Sequence, residues 1–141
     1  ARLHIDRFFP PIPLRIVANH LGENKTEKYA TRIFEQKLRN AINPQILENP
    51  SIRQNIVPAM MDNCNVIAEK KSAKIIDQRR RESDAAMTSE LNRLISLKKV
   101  NPDISQDEID SIKEERQAIL NAIDTARLRL DSIRFIIRGE Y

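Results

Sequence analysis

The chain has 141 residues, with 24 Lys+Arg against 20 Asp+Glu for a net charge of +4, and 40% hydrophobic against 31% charged residues. That is the length of one domain with apolar material for a modest core, and it excludes a wholly disordered chain. Its two glycines, Gly22 and Gly139, exclude the phosphate-cradling loops that need closely spaced glycines, and its single cysteine, Cys64, excludes an internal disulfide.

Beside Cys64 there are only His4 and His20, so no zinc-ligand cluster is recognisable, and Cys64 reads as a small hydrophobe rather than an activated nucleophile. No stretch approaches the ~20 apolar residues of a membrane span, and no basic-then-apolar signal segment opens the chain. A soluble, reducing, cytoplasmic setting is expected, with no membrane and no small-molecule substrate. The chain starts at Ala1 and reads as structured from its first residues, as an excised domain would.

Residues 1–24 have strand character. Leu3, Ile5 and Phe9 alternate with His4, Asp6 and Phe8, and Leu14, Ile16 and Val17 form a second β-rich run. Between them Pro10, Pro11 and Pro13 impose an extended connector. His20 to Asn24 supplies a turn. A short helix is expected over 26–43, from the spacing of Tyr29, Ile33, Phe34, Leu38 and Ile42, ending before Pro44.

A loop with Pro44 and Pro50 leads to a long helical segment over 51–100, in which Pro58 predicts a restart or bend near Val57. Met60, Cys64, Ile67 and Ala68 make one apolar stripe, and Met87, Leu91, Leu94 and Ile95 make another. Between the stripes, Asp77 to Asp84 has no apolar side chain, which predicts that the helix projects into solvent there or changes partner. Asn101-Pro102-Asp103 stops the helix.

Ser105-Gln106-Asp107-Glu108 is a capping box, so the second arm is expected over 105–126. Its seam, Ile109, Ile112, Ile119, Ile123 and Ala126, is interrupted only by Arg116. Set against Met87, Leu91 and Leu94, it predicts an antiparallel helical hairpin. Ile133, Phe135 and Ile137 alternate with Arg134 and Arg138, predicting a terminal strand over 127–138 that pairs with the N-terminal strands. The fold expected is α+β: a small antiparallel sheet from both termini packed with a helical bundle.

Asp103, Ser105, Asp107 and Glu114 fall at calcium-loop spacing, but Glu108 stands where that loop needs glycine, and a structural cap explains the same residues. The six cations Lys70, Lys71, Lys74, Arg79, Arg80 and Arg81, against Glu69, Asp77 and Glu82, are the candidate contact for DNA, RNA or another partner. Interleaved acids and the lack of an aromatic favour a solvated face instead. The acids from Asp103 to Asp131 give the return arm the opposite sign. No catalytic pair, metal set or cofactor cradle stands out.

Ser89-Glu90-Leu91-x-Arg93-Leu94-x-x-Leu97-x-x-Val100-Asn101-Pro102-x-Ile104, followed by Arg129-Leu130-Asp131-Ser132-Ile133-Arg134-Phe135-Ile136, resembles the end of the RapA (HepA) family. Ile5-x-Arg7-Phe8-x-Pro10-x-x-Pro13-Leu14-Arg15 is similar to the start of the same C-terminal region. Lys25 to Pro58 matches least. The family consists of bacterial RNA polymerase-associated, helicase-like ATPases of the SWI/SNF type.

The resemblance implies a parent that hydrolyses ATP with magnesium, moves on DNA or RNA and recycles core RNA polymerase. It implies a cytoplasmic, nucleoid-associated setting. These residues would form its non-catalytic accessory domain, bracing the motor, with polymerase or nucleic acid as candidate contacts. A free-standing helical adaptor or a nucleic-acid-binding module are the alternatives.

Overall fold

The computed structural model describes residues 4–29, 38–39 and 45–137. Two helices dominate. The long helix, Val57–Val100, has 44 residues, about 66 Å at 1.5 Å per residue. The return helix, Gln106–Asp124, has 19 residues, about 28 Å. The shorter arm therefore lies along less than half of the longer one.

The reversal between them is built from local hydrogen bonds. The Asn101 N–H donates to the Leu97 carbonyl at 2.8 Å, and the Asp103 N–H donates to Asn101 Oδ1 at 3.0 Å. Ser105 is extended (φ −79°, ψ 153°), and its Oγ accepts from the Glu108 N–H at 3.2 Å, satisfying one of the free donors of the first turn. Asp107 and Glu108 place carboxylates at the positive end of the helix, and Lys98 and Lys99 place cations at the negative end of its partner.

Pro58 is accommodated by a π turn. Over Ile52–Ile56 the backbone widens, and the Val57 N–H donates to the Ile52 carbonyl, one residue further back than an α-helical bond reaches. Pro58 then falls at the first α-helical positions, where its missing N–H costs nothing.

Among the described residues there is no strand ladder, which corrects the expectation of an α+β fold with a terminal antiparallel sheet. One isolated antiparallel bridge joins Ala18 and Asn24. Ile5–Arg7 is a 3-10 turn, and the Phe8 and Phe9 N–H groups both donate to the Ile5 carbonyl at 2.8 Å. The useful spacing is thus Ile5, Phe8, Phe9, a helical i, i+3, i+4 set, and not the period-2 alternation with Leu3.

At the other end, residues 127–137 form neither helix nor strand. Ile133 is 56% exposed, while Phe135, Ile136 and Ile137 are all half-buried, so no face alternates there. Leu3 and Arg138, which belonged to the expected sheet, lie outside the described residues. So does most of the helix expected over 26–43: the described helical part is Thr26–Tyr29, and Ile33, Phe34 and Ile42 are outside it.

The core sits between the arms, away from the reversal. Met87, Ile119 and Ile123 form it, with Ile5, Phe8, Phe9 and Ile76 packed around them. Ile119 and Ile123 are completely buried, and Ile109 and Leu120 nearly so. The N-terminal segment runs antiparallel to the long helix. Ile5, Phe8 and Phe9 lie on the Met87 cluster, while Gly22 approaches the Asn63 side chain.

Candidate functional site

Three side-chain sets mark the faces of this hairpin. The first is the seam. Met87, Ile119 and Ile123 are in the core, whereas Leu91, Leu94 and Ile112 are half-buried. Apart from Ile109, buried beside the reversal, the tightest packing lies toward the place where the N-terminal aromatic pair lands.

The second set links the arms electrostatically. Arg116 donates through Nε to Asp84 Oδ1 at 2.8 Å, and Thr88 Oγ1 is 3.3 Å from the same oxygen. Arg80 Nε donates to Asp124 Oδ1 at 2.9 Å. Lys98 Nζ donates to Gln106 Oε1 at 2.6 Å nearer the reversal. These pairs fix the register of the two helices at three levels.

Asp77 to Asp84 therefore does not project as a solvated stretch. Its inner side is Arg80, Ser83 and Asp84, with Ser83 only 3% exposed, and it packs through small and charged groups instead of apolar ones.

The third set is the basic run, and it divides. Arg79 pairs with Glu82 at 3.7 Å, Arg80 with Asp124 at 2.9 Å and Arg81 with Asp77 at 3.1 Å. Lys70, Lys71 and Lys74 have no ion-pair partner among the described residues. Lys71 is half-buried on the shielded side with Ile67 and Ile75, leaving Lys70 and Lys74 on the outer face. The run thus presents three arginines in surface ion pairs beside three lysines without one.

Among the described residues no group of three His, Cys, Asp or Glu converges on a metal position, and no helix is long and apolar enough to cross a membrane. Cys64 is a half-buried free thiol. Two carboxylates are held below the ordinary glutamate range. Glu23 is held by the hydrogen bond from Lys25 and then by that from Asn19. Glu90 is held chiefly by its hydrogen bond from Arg93, with the charges of Arg93 and Arg7 adding to it. Both are on the surface, so they report local pairing and not a desolvated acid–base site.

A family model described as "RNA polymerase recycling family C-terminal" matches residues 1–138. The chain belongs to that family. Two RNA polymerase-associated RapA proteins, from Proteus mirabilis and from Erwinia tasmaniensis, are each 36% identical to it over 96% of its length. The chain spans 14% of the length of each of these relatives.

For a member of the polymerase recycling C-terminal family, the informative groups were partly hidden in the sequence. Arg116 reads as a fault in an apolar seam until Asp84 is seen opposite it. The complementary signal was present: an acid in a stretch without apolar side chains, facing a cation in an otherwise apolar stripe. Phe8, which the alternation sets with His4 and Asp6 opposite Ile5 and Phe9, packs with them against the core. Leu120 lies outside a strict 3–4 seam and is buried all the same.

Proposed function

We propose that this domain is the non-catalytic accessory part of an ATP-dependent RNA polymerase recycling factor, and that it acts mechanically, as a stiff lever bracing a helicase-like motor. The cross-arm register carries this reading: three polar pairs and a buried Met87–Ile119–Ile123 centre hold the return helix on the long helix in one alignment. A hairpin fixed at both its polar edge and its apolar centre transmits displacement along its axis instead of bending it away. The setting that goes with this reading is a bacterial cytoplasmic protein acting near the nucleoid.

ATP and magnesium would belong to the parent motor. A sequence with two glycines, Gly22 and Gly139, cannot write the closely spaced glycines of a phosphate loop, which supports that placement. Core RNA polymerase is the proposed partner. The nucleic-acid-binding reading is disfavoured because all three arginines of the basic run are already ion-paired.

The test is co-purification of bacterial core RNA polymerase with this domain and with a longer protein that includes the motor. Capture by the longer protein alone makes the domain an internal brace, and capture by the domain itself makes it a polymerase contact. Capture by neither would overturn the reading.

A further inference from the structure

The end of the hairpin carries a recess of about 480 Å³ between the two arms, lined by Ile95, Lys98, Lys99, Gln106, Ile109 and Lys113. Its composition is unlike the rest of the return arm, which is acidic. Ile95 and Ile109 supply an apolar floor, and three ammonium groups stand around it. Lys98 is held by the Gln106 amide oxygen at 2.6 Å, and Gln106 in turn donates through Nε2 to Asp110 Oδ1 at 3.0 Å. The Gln106 amide carries no charge, so it positions the ammonium group without forming an ion pair with it. Lys99 and Lys113 are exposed and have no ion-pair partner among the described residues. Val100, at the turn beside them, is 80% exposed.

We propose that this recess docks a short acidic segment of a partner protein, one that presents a single apolar side chain between carboxylates. The apolar side chain enters against Ile95 and Ile109, and the carboxylates meet Lys98, Lys99 and Lys113. Charge complementarity selects this occupant over a nucleic acid. Asp107, Asp110 and Glu114 on the same helix repel any anion; a continuous phosphate backbone must pass them, whereas a short segment with two or three carboxylates can confine its charge to the lysines. A duplex offers no apolar side chain for the floor. The inference does not depend on polymerase being the partner.

The experiment is fluorescence anisotropy with the full chain and a labelled peptide of glutamates around one leucine. A second peptide has serine in place of that leucine. Changing Lys98, Lys99 and Lys113 together to Glu should weaken binding of the leucine peptide by about tenfold or more, with the triple change to Gln giving a smaller loss. Lys70→Gln with Lys74→Gln should leave binding unchanged, and circular dichroism checks that each variant keeps its helices. Lack of binding by the unaltered chain, equal binding by both lysine triple variants, equal binding of the serine peptide, or duplex DNA competing as well as the peptide would each overturn the proposal.

Discussion

Arg116 on the return helix and Asp84 on the long helix meet across the hairpin, with Arg116 Nε donating to Asp84 Oδ1 at 2.8 Å, at the one interruption in the apolar seam of the shorter arm. Both side chains are about one-third exposed, at 32% and 39%. The pair is therefore partly desolvated, and removing one member strands the other. Asp84→Ala is expected to cost about 1–3 kcal/mol, because the guanidinium loses its acceptor without regaining full hydration. Replacing both residues by Leu is expected to restore stability to near the unaltered value, since a continuous apolar seam substitutes for the pair. Urea melts of the single and double variants measure this, and a double variant as unstable as Asp84→Ala would show that the pair fixes register in a way packing cannot.

The position of the core gives a second outcome. Ile119 is fully buried against Met87, whereas Leu94 is only half-buried toward the reversal. Ile119→Ala is expected to destabilise by about 2–5 kcal/mol and Leu94→Ala by about 1–2 kcal/mol, in proportion to the apolar surface each withdraws from water. Thermal melting of the two variants decides the ranking. Equal losses would place Leu94 in the core as well.

These two positions show what the residue pattern could and could not convey. The Asn101–Pro102 stop and the Ser105 cap are chemistry within four residues, so the local sequence contains all the information that sets them. The depth of burial along the seam depends on where a distant segment lands, and Ile5, Phe8 and Phe9 reach Met87 from the far end of the chain. The strand expectations failed for a related reason. Alternation among Leu3, Ile5 and Phe9 fits a strand, but the same stretch also contains an i, i+3, i+4 set, and tertiary contact with the hairpin favours the turn. The basic run was legible as charge, yet its neutralisation by Asp77, Glu82 and Asp124 required knowing which side chains face each other.

The N-terminal turn can be followed through a carboxylate it does not touch directly. Glu90 is held below the ordinary glutamate range first by the Arg93 hydrogen bond and, more weakly, by the charge of Arg7. A depressed carboxylate contributes stability above its unfolded-state value, and that contribution is lost as pH falls through its folded-state value. Arg93→Ala should therefore raise the Glu90 value and flatten the acid limb of the stability profile, while Arg7→Ala should give a smaller rise. Phe8→Ala with Phe9→Ala should reproduce the Arg7→Ala rise if the turn lifts off the Met87 cluster. Carboxyl carbon NMR titration of Glu90 reads all three, and an unmoved value in the double Phe variant would mean that the turn stays docked without its aromatics.

Gly22 has φ +79°, in the left-handed region, and its N–H donates to the Asn19 carbonyl at 3.1 Å. A Cβ there would stand 2.9 Å from Asn63 Nδ2, a movable side-chain atom, so backbone strain is the larger penalty. Gly22→Ala is expected to cost about 1–2 kcal/mol, and Gly22→Asn less, because Asn tolerates this conformation. Chemical denaturation of the two variants checks the order.

Residual affinity for nucleic acid has a bounded form. With Arg79, Arg80 and Arg81 paired to acids, Lys70 and Lys74 on the outer face and the half-buried Lys71 beside them are the lysines left for phosphates. Each neutralised phosphate contributes about −0.9 to the slope of log affinity against log salt for duplex DNA, so three lysines allow a slope no steeper than about −3. Changing Lys70 and Lys74 to Gln should bring it close to about −1. Anisotropy of labelled duplex DNA across a salt series measures both slopes. A slope near −6 in the unaltered chain would mean that the three arginines leave their carboxylate partners to bind phosphate, turning the hairpin's outer face into a nucleic-acid surface.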